Sequence, residues 1–328
     1  MNFRTLGKTG FKVSEISLGT WQVGGKWGSG FDHKLASNLL HQAHDQGVNF
    51  IDTADVYEGG ESEKAVGKFV NSISDSIYVA TKCGRQINPH NSESYTPNAL
   101  RGYVEDSLKR MNLETLDLIQ LHCPPTEVYY RPEIFGEFEK LKDEGKILNL
   151  GVSVEKVEEA LKAIEFENVT TIQIIYNIFR QRPADLFLQK AKEKNVGVIV
   201  RVPLASGLLT GKYTKQTTFE AGDHRQSNRN GEWFDKGETF SGVPYEKGID
   251  AVEKIKVLFP EQENLSQIAL KWILMNENVS SVIPGASKPY QVDSNIESMK
   301  IPSISEEKLK AIQTIYESDI KPYVHNLW

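Results

Sequence analysis

Cysteine is scarce in this sequence, and long hydrophobic runs are absent from it. Only Cys83 and Cys123 occur among 328 residues, which is too few for a disulfide framework and favours two unpaired thiols. No apolar run approaches the roughly 18 residues that a membrane-spanning helix needs. The first residues also lack the apolar stretch of a secretory signal. We therefore expect a cytoplasmic protein that does not enter a membrane.

An excess of basic residues is missing as well. The formal net charge is −6 at pH 7. The sequence therefore offers no broad basic surface for a phosphate backbone, and we expect no nucleic-acid partner. A small basic pocket for one phosphate group remains consistent with this charge. Hydrophobic residues make up 39% and charged residues 25% of the chain, as in ordinary globular proteins.

Apolar, β-rich segments alternate with amphipathic helical segments along the chain. The alternation predicts a parallel sheet with helices outside it, and eight repeats favour a (β/α)8 TIM barrel. Two short, half-apolar runs around Gly7 and Gly10 predict an N-terminal β-hairpin. No shift in composition marks a second domain, so we predict one barrel domain over residues 1–328. The predicted strands cover residues 14–19, 49–54, 77–83, 116–122, 147–153, 171–176, 196–202 and 279–284.

Two segments between the predicted elements are glycine-containing and polar. Residues 24–30 do not open a helix with the Gly-x-Gly-x-x-Gly spacing of a dinucleotide-binding turn, so we predict a loop at the barrel mouth. Residues 212 to about 248 form a long connection after the seventh strand. Connections of this length in compact domains are usually functional lids or disordered segments.

Ionisable residues stand at the ends of three consecutive predicted strands. Asp52, Lys82 and His122 lie near the carboxyl ends of strands two, three and four, and Tyr57 follows in the next loop. Active sites of (β/α)8 barrels lie at this end. Each residue alone would fit a solvated strand end or a structural ion pair. Four of them in register on adjacent strands predict one functional site.

Several short segments, taken in order, carry a family resemblance. The set resembles the signature segments of aldo-keto reductases over nearly the whole chain. The resemblance implies an NADP-dependent enzyme that reduces aldehydes or ketones to alcohols by hydride transfer from NADPH, with NADH as the alternative donor. The segments are Gly19-Thr20-Trp21, residues 49–54 with Tyr57, Lys82, residues 117–122, Gly151-Val152-Ser153, Gln173 with Tyr176-Asn177, residues 207–212 and residues 283–286.

The same resemblance implies a catalytic role for each strand-end residue. Tyr57 would be the general acid that protonates the carbonyl oxygen, and Lys82 would lower the pKa of its phenol. Asp52 would pair with Lys82, because an unpaired buried ammonium is costly. His122 would donate a hydrogen bond to the carbonyl oxygen of a small substrate. Trp21 would join Tyr57 and His122 in contacting that substrate, with core packing as its alternative. No metal ion is needed.

A nicotinamide cofactor at the barrel mouth is implied too. Ser153 and Gln173 match positions that bond the nicotinamide carboxamide, although Val154 replaces the usual asparagine. Arg201 stands at a position that is aromatic in many members, so it would either stack on the nicotinamide or contact a phosphate. The other expected contacts are Gly19, Thr20, Trp21, Asp52, Pro203, Leu204, Gly207, Leu208, Lys212, Arg225, Gly285, Ala286, Ser287, Lys288, Gln291 and Asn295.

Residues 285–295 bear on the cofactor preference, because barrels commonly bind phosphate at a helix that starts after strand eight. Ser287 and Lys288 suit a ribose 2′-phosphate, and Asn295 suits the adenine. Gln291 replaces an arginine that is typical of the family, which weakens the preference for NADPH. A capped surface helix with a solvated lysine is the alternative. Arg225 likewise fits either a phosphate contact or a solvated position.

A second functional class is left open by the sequence. Some barrels of this family act mainly as cofactor-binding regulatory subunits of membrane channels. Tight cofactor binding without turnover would favour that class, although the residues before the predicted hairpin offer no partner-binding arm. A metal-dependent hydrolase or isomerase is disfavoured, because His122 is the one histidine of seven that closes a strand. The sequence determines neither the substrate nor the oligomeric state.

Overall fold

A computed structural model describes residues 1–25 and 30–328 of the chain. An antiparallel hairpin comes first, made of β1 (Phe3–Thr5) and β2 (Lys12–Ser14). A parallel sheet of eight strands follows, in the order of the sequence. Its strands are β3 (Leu18–Gly19), β4 (Phe50–Asp52), β5 (Tyr78–Cys83), β6 (Leu116–His122), β7 (Ile147–Ser153), β8 (Val169–Ile175), β9 (Gly197–Arg201) and β10 (Ser281–Val282).

The first and last strands of this sheet meet, and their contact closes the barrel. The backbone N–H groups of Ser17 and Gly19 donate to the carbonyl oxygens of Val282 and Pro284, at 2.9 and 3.2 Å. Eight parallel strands and an N-terminal hairpin confirm the predicted (β/α)8 fold. The first and last predicted strands differ most, because only two residues form β3 and only two form β10, and Ser14 pairs within the hairpin instead.

Helices follow most of the strands and pack on the outside of the sheet. Their starts have ordinary chemical causes: Thr96 accepts a hydrogen bond from the N–H of Ala99, and Pro97 takes the first position of its helix, where an N–H is not needed. The helices are α1 (His33–Asp45), α2 (Glu61–Val70), α3 (Pro97–Met111), α4 (Pro132–Asp143), α5 (Val157–Ala163), α6 (Phe187–Glu193), α7 (His224–Ser227), α8 (Tyr245–Leu258), α9 (Leu265–Leu274), α10 (Pro289–Glu297), α11 (Glu306–Ile315) and α12 (Lys321–Val324).

The hairpin fills one end of the barrel interior. Leu6 and Val13 are fully buried there with Phe50, Leu118 and Ile199, which come from three barrel strands. Burial of such side chains stabilises a fold by about 1.5–3 kcal/mol each. Because this apolar cluster closes the amino end of the strands, the carboxyl end is left for a cavity.

The long connection runs from residue 212 to residue 244, because α8 begins at Tyr245, slightly before the predicted end. It contains α7 and two 3₁₀ turns, Lys236–Glu238 and Phe240–Gly242. Of the predicted glycine-rich loop 24–30, residues 26–29 lie outside the described residues. Within residues 1–25 and 30–328, no helix is both long and apolar enough to cross a membrane.

A close approach of α2 and α3 at Gly67 predicts a sensitive position. A Cβ atom there would lie 2.2 Å from the carbonyl oxygen of Met111 and 2.5 Å from its Cα, and backbone atoms cannot turn away. We expect Gly67→Ala to lower the free energy of unfolding by about 1–3 kcal/mol, since overpacking forces the helices apart. Urea denaturation followed by circular dichroism measures the change.

The matched control is Gly102→Ala in α3. A Cβ atom at Gly102 would meet nothing within 4 Å. Alanine favours a helix over glycine by about 0.5–1 kcal/mol, so this variant should be slightly stabilised. A Gly67→Ala protein as stable as the Gly102→Ala protein would contradict the close packing of these helices.

Candidate active site

The ends of three neighbouring strands bring the predicted catalytic residues together. Asp52 ends β4, Lys82 is the last residue but one of β5, and His122 ends β6. Tyr57 begins a 3₁₀ turn after β4. Because the strands are parallel and adjacent, these side chains meet at the carboxyl end of the barrel.

The ammonium group of Lys82 lies at the centre of the group. Its Nζ donates to Oδ2 of Asp52 at 2.5 Å, to the carbonyl oxygen of Thr53 at 2.8 Å and to the hydroxyl of Tyr57 at 3.1 Å. All three N–H bonds of the ammonium are therefore used. Burial alone would lower the pKa of Lys82, but Asp52 and Tyr57 outweigh it and raise that pKa. The amine is charged at neutral pH.

Two glutamine amides hold the other oxygen of Asp52. Its Oδ1 accepts hydrogen bonds from Nε2 of Gln120 at 3.0 Å and from Nε2 of Gln173 at 2.7 Å. Gln173 also donates to Oε1 of Gln120 at 3.1 Å. The buried carboxylate is thus paired and fully hydrogen-bonded, the condition under which a buried ion pair is tolerated. Gln120 was not predicted, although an amide among the apolar residues of β6 was a usable signal.

Tyr57 keeps its proton in this environment. Burial raises the pKa of the Tyr57 hydroxyl, and Lys82 offsets only part of that rise. Lys82 by itself would lower the pKa of Tyr57, because a neighbouring cation favours the phenolate, but burial has the larger effect on that pKa. At neutral pH the hydroxyl is a donor that already touches a cation.

His122 is a neutral imidazole beside this hydroxyl. Its ring lies edge to face with the ring of Tyr57, with 6.2 Å between the centroids. Burial and the nearby cations Arg85 and Lys82 hold the pKa of His122 well below its usual range. The Nδ1 atom is buried and has no hydrogen-bond partner in the described part of the chain. A neutral imidazole carries one N–H, which can donate to an oxygen atom.

A cavity of about 250 Å³ lies above these residues. Trp21 is half-buried at its wall, 4.8 Å from the ring of His224 and 6.1 Å from that of Phe234. The predicted site residues that line the cavity are Gly19, Thr20, Trp21, Asp52, Tyr57, His122, Gln173, Arg201, Pro203, Leu204, Gly207, Arg225, Gly285 and Gln291. Lining residues missed by sequence reasoning are Gln22, Val202, Ser206, Thr210, Tyr213, His224, Glu238, Ile283 and Pro284.

The other predicted site residues surround the cavity without lining it. Lys82 and Ser153 are buried beneath it, and Leu208 is fully buried in the core. The remaining five, Lys212, Ala286, Ser287, Lys288 and Asn295, belong to the segments at residue 212 and around the start of α10. Asn295 is buried and donates to the carbonyl oxygen of Gly285 at 3.5 Å.

Arg201 belongs to a chain of alternating charges along one side of the cavity. Its Nη1 contacts Glu238 at 3.0 Å and its Nη2 contacts Glu155 at 2.9 Å. Glu238 also pairs with Arg85 at 2.8 Å. Three groups here lie close enough together to hold a metal ion: the carboxylates of Glu155 and Glu238 and the thiol of Cys123. The guanidinium of Arg201, however, contacts all three. Neither glutamate was predicted from the sequence.

The pKa values of the two carboxyl groups in this charged chain are shifted in opposite directions. Burial would raise the pKa of Glu238, but Arg85 and Arg201 outweigh it and hold that pKa below its usual range. Burial raises the pKa of Glu155, and Arg201 lowers it only in part. Glu238 is therefore ionised between two cations, whereas Glu155 holds its proton to a higher pH than an ordinary glutamic acid does.

A glutamine side chain within α10 caps the start of that helix. Oε1 of Gln291 accepts hydrogen bonds from the backbone N–H groups of Ser287 and Lys288, at 2.8 and 3.0 Å. The Lys288 side chain is exposed.

In the long connection, Arg225 lines the cavity and is paired with Asp223 at 2.5 Å, so its guanidinium is not simply solvated.

Both cysteines are free and buried. Burial raises the pKa of the Cys83 and Cys123 thiols far above the usual range. A thiol that keeps its proton is a poor nucleophile. The cysteines are therefore packing residues of β5 and of the turn after β6.

Comparison with known proteins identifies the family. A sequence profile of the Aldo/keto reductase family matches residues 15–317. The chain belongs to this family. It is accordingly an oxidoreductase of the carbonyl-reducing aldo/keto class, whose members bind a nicotinamide cofactor.

Relatives match this aldo/keto reductase over almost its whole length. The aldo-keto reductase YhdN of Bacillus subtilis is 30% identical over 98% of this chain and 95% of its own. The NADH-specific methylglyoxal reductase of Escherichia coli is 28% identical, and the match covers 90% of this chain and 93% of the reductase. A probable voltage-gated potassium channel subunit beta of Oryza sativa is 29% identical over 98% of both chains.

Solved structures of the family agree with the fold. The aldo-keto reductase AKR11C1 from Bacillus halodurans, in its holo form, has a TM-score of 0.77 at 26% identity, with 96% of both chains covered. The glycerol dehydrogenase AKR11B4 from Gluconobacter oxydans has a TM-score of 0.75 at 31% identity, with 100% of this chain and 97% of that one covered.

Glu155 gives the stability of this reductase a defined pH dependence. The folded protein keeps a proton on Glu155 at pH values where an unfolded glutamic acid, with a pKa of about 4.3, has released it. A folded-state pKa above the unfolded value makes the free energy of unfolding fall as pH rises above that unfolded value. We expect Glu155→Gln, which cannot ionise, to reduce this fall. Urea midpoints at about pH 5 and about pH 8 measure it.

The control for this prediction is Glu167→Gln, whose side chain is 91% exposed. That variant should keep the pH dependence of the wild-type protein, because Glu167 is exposed to solvent and its contact with Lys8 is a surface ion pair, which contributes little to stability. If Glu155→Gln shows the same difference between the two midpoints as the wild type, Glu155 is ionised in the folded protein and the assignment is wrong.

Proposed function

We propose that this protein reduces aldehydes or ketones to alcohols with NADPH as hydride donor and Tyr57 as general acid. One observation carries the proposal: the Lys82 ammonium contacts both Asp52 and the Tyr57 hydroxyl, directly below a cavity. A phenol beside a fixed cation is an effective proton donor, because the cation stabilises the phenolate that remains.

The cavity lining fits a nicotinamide dinucleotide. Gly19, Gly207 and Gly285 bring bare backbone to the wall, where a planar group can approach closely. Tyr213 supplies an aromatic face, and Arg225 supplies a cation for a phosphate. When bound, the reduced nicotinamide supplies the hydride that adds to the carbonyl carbon.

The protein's own residues manage the charge that develops on the carbonyl oxygen. His122 is neutral and donates its N–H to that oxygen, which orients the substrate and stabilises the growing negative charge. Tyr57 transfers its proton to the oxygen, and Lys82 stabilises the resulting phenolate. Asp52 keeps Lys82 in place through the 2.5 Å ion pair. Trp21 forms a flat wall that limits the size of the substrate.

An exposed lysine at the start of α10 supports NADPH as the preferred cofactor. Lys288 is exposed beside Ser287 at the start of α10, where a ribose 2′-phosphate would find a cation and a hydroxyl. Gln291 already uses the first free N–H groups of that helix, so the preference for NADPH over NADH is modest. The relative from Escherichia coli is named as NADH-specific, which is consistent with a modest preference.

The first test replaces the proposed acid. Tyr57→Phe should lower kcat for a small aldehyde about 10²–10⁴-fold, the usual contribution of general acid catalysis. Binding of NADPH, measured by its fluorescence, should stay close to that of the wild type, because the hydroxyl is the only group removed. Stopped-flow oxidation of NADPH measures the turnover.

A matched control is Tyr129→Phe. Tyr129 is fully buried, and its hydroxyl has no hydrogen-bond partner among the described residues, so the loss of that oxygen should leave kcat unchanged. Near-wild-type turnover by Tyr57→Phe would refute the assignment. Tight NADPH binding by the wild type with no turnover of any carbonyl would instead support a regulatory subunit, the class to which the Oryza sativa relative is assigned.

The second test concerns the 2′-phosphate. Lys288→Ala should lower the ratio of kcat/KM with NADPH to kcat/KM with NADH by about tenfold, the effect of losing about 1.4 kcal/mol of binding energy. Lys310→Ala, an exposed lysine on α11, is the control and should leave the ratio unchanged. An unchanged ratio in Lys288→Ala would place the phosphate elsewhere.

A further inference from the structure

Trp328 is buried against the long connection. Its ring lies beside two glycines of that connection: a Cβ atom at Gly237 or at Gly242 would come within 2.6 or 2.5 Å of the indole. Only 6% of Trp328 is exposed. The absence of side chains at these two positions therefore lets the indole pack directly on the backbone of the connection.

Polar contacts fix the indole in this position. Its Nε1–H donates to Oδ1 of Asp235 at 2.7 Å, and the same oxygen accepts from the N–H of Gly237 at 2.7 Å. The guanidinium of Arg180 stacks on the ring, 4.2 Å from its centroid, and donates to the carbonyl oxygen of Gly237 at 3.0 Å. The carbonyl oxygen of Trp328 accepts from Arg182 at 2.9 Å. Trp328 thus has both a stacking and a hydrogen-bonding role.

The buried charge of Arg180 is stabilised by its contacts with Trp328 and Gly237. Burial lowers the pKa of Arg180 to about 9, so the group is charged at neutral pH although it is buried. Its Nε has no hydrogen-bond partner in the described ranges. A buried guanidinium gains from an aromatic face, because the ring attracts the cation and needs no water. Loss of the indole would leave this cation poorly compensated.

The residues that Trp328 holds are next to residues of the active site. Gly237 precedes Glu238, which lines the cavity and pairs with Arg85 and Arg201. Asp235 follows Phe234, whose ring stands 6.1 Å from the ring of Trp21 in an edge-on contact. The backbone that Trp328 fixes is therefore one residue away from two side chains at the substrate end of the site.

We propose that Trp328 is a positioning residue that keeps residues 234–242 closed over the cavity and so controls how fast ligands exchange. The inference rests on the proposed function, because NADPH is the ligand whose exchange it describes. The chemical step itself uses Tyr57, Lys82 and His122, none of which touches Trp328. Removal of the indole should thus affect opening of the connection more than hydride transfer.

The experiment compares Trp328→Ala and Trp328→Phe with the wild type. Trp233→Ala is the matched control, because Trp233 is in the same connection and 54% exposed. The first measurement is the rate of trypsin cleavage after Lys236 without any cofactor, followed by mass spectrometry. Cleavage requires local opening, so it should be about tenfold faster in Trp328→Ala and unchanged in Trp233→Ala.

The second measurement is NADPH dissociation by stopped-flow fluorescence, together with the single-turnover rate of hydride transfer. In Trp328→Ala, dissociation should be about tenfold faster, while the single-turnover rate at saturating NADPH changes less than about threefold. Trp328→Phe keeps the stacking on Arg180 and loses the hydrogen bond to Asp235. It should show a smaller increase, about threefold, in both cleavage and dissociation.

The outcomes separate this inference from the proposed function. Wild-type cleavage in both Trp328 variants, or faster cleavage with unchanged NADPH dissociation, overturns the positioning role. If Trp328→Ala does not fold, Trp328→Phe decides between the same results. If the wild type binds no NADPH, the proposed function fails, whereas the cleavage measurement still decides whether Trp328 holds the connection closed.

Discussion

The buried ion pair of Lys82 and Asp52 is the interaction on which the rest of the site depends. An ammonium with no exposed surface needs partners for all three N–H bonds, and it has them in Asp52, Thr53 and Tyr57. The carboxylate in turn needs donors for its second oxygen, which the amides of Gln120 and Gln173 provide. These requirements bring polar side chains from β4, β5, β6 and β8 together at the carboxyl end of the barrel.

The sequence was enough to predict the charged residues of this layer and the barrel that holds it. Strands buried on both faces are short apolar runs, and a charged residue at the end of such a run is conspicuous. That is why the sequence alone places Asp52, Lys82 and His122 at equivalent heights. The eight strands in sequential order, with a hairpin before them, confirm the fold. Of the two amides in this layer, Gln173 was predicted only as a contact of the nicotinamide carboxamide, and Gln120 was not predicted.

The opposite side of the cavity could not be predicted, for a physical reason. Glu238 and His224 lie in the long connection, which has no periodic pattern, and contacts distant in sequence determine their positions. Arg201 could be placed at the end of β9, but its partners Glu155 and Glu238 come from two other segments. The cap that Gln291 forms at the start of α10 could likewise not be predicted from the sequence.

The charges on both sides of the cavity are paired, and this explains why Tyr57 and His122 face the cavity as neutral hydrogen-bond donors. Lys82 is compensated by Asp52, and Arg85 and Arg201 are compensated by Glu238, so each strong charge already has a partner. Burial, together with the cations Arg85 and Lys82, keeps His122 unprotonated, and burial keeps the proton on Tyr57. A carbonyl oxygen entering the cavity would therefore meet two hydrogen-bond donors and no free carboxylate. Such a site repels neither a neutral carbonyl group nor the negative charge that forms on the carbonyl oxygen during reduction. Carbonyl reduction requires both properties.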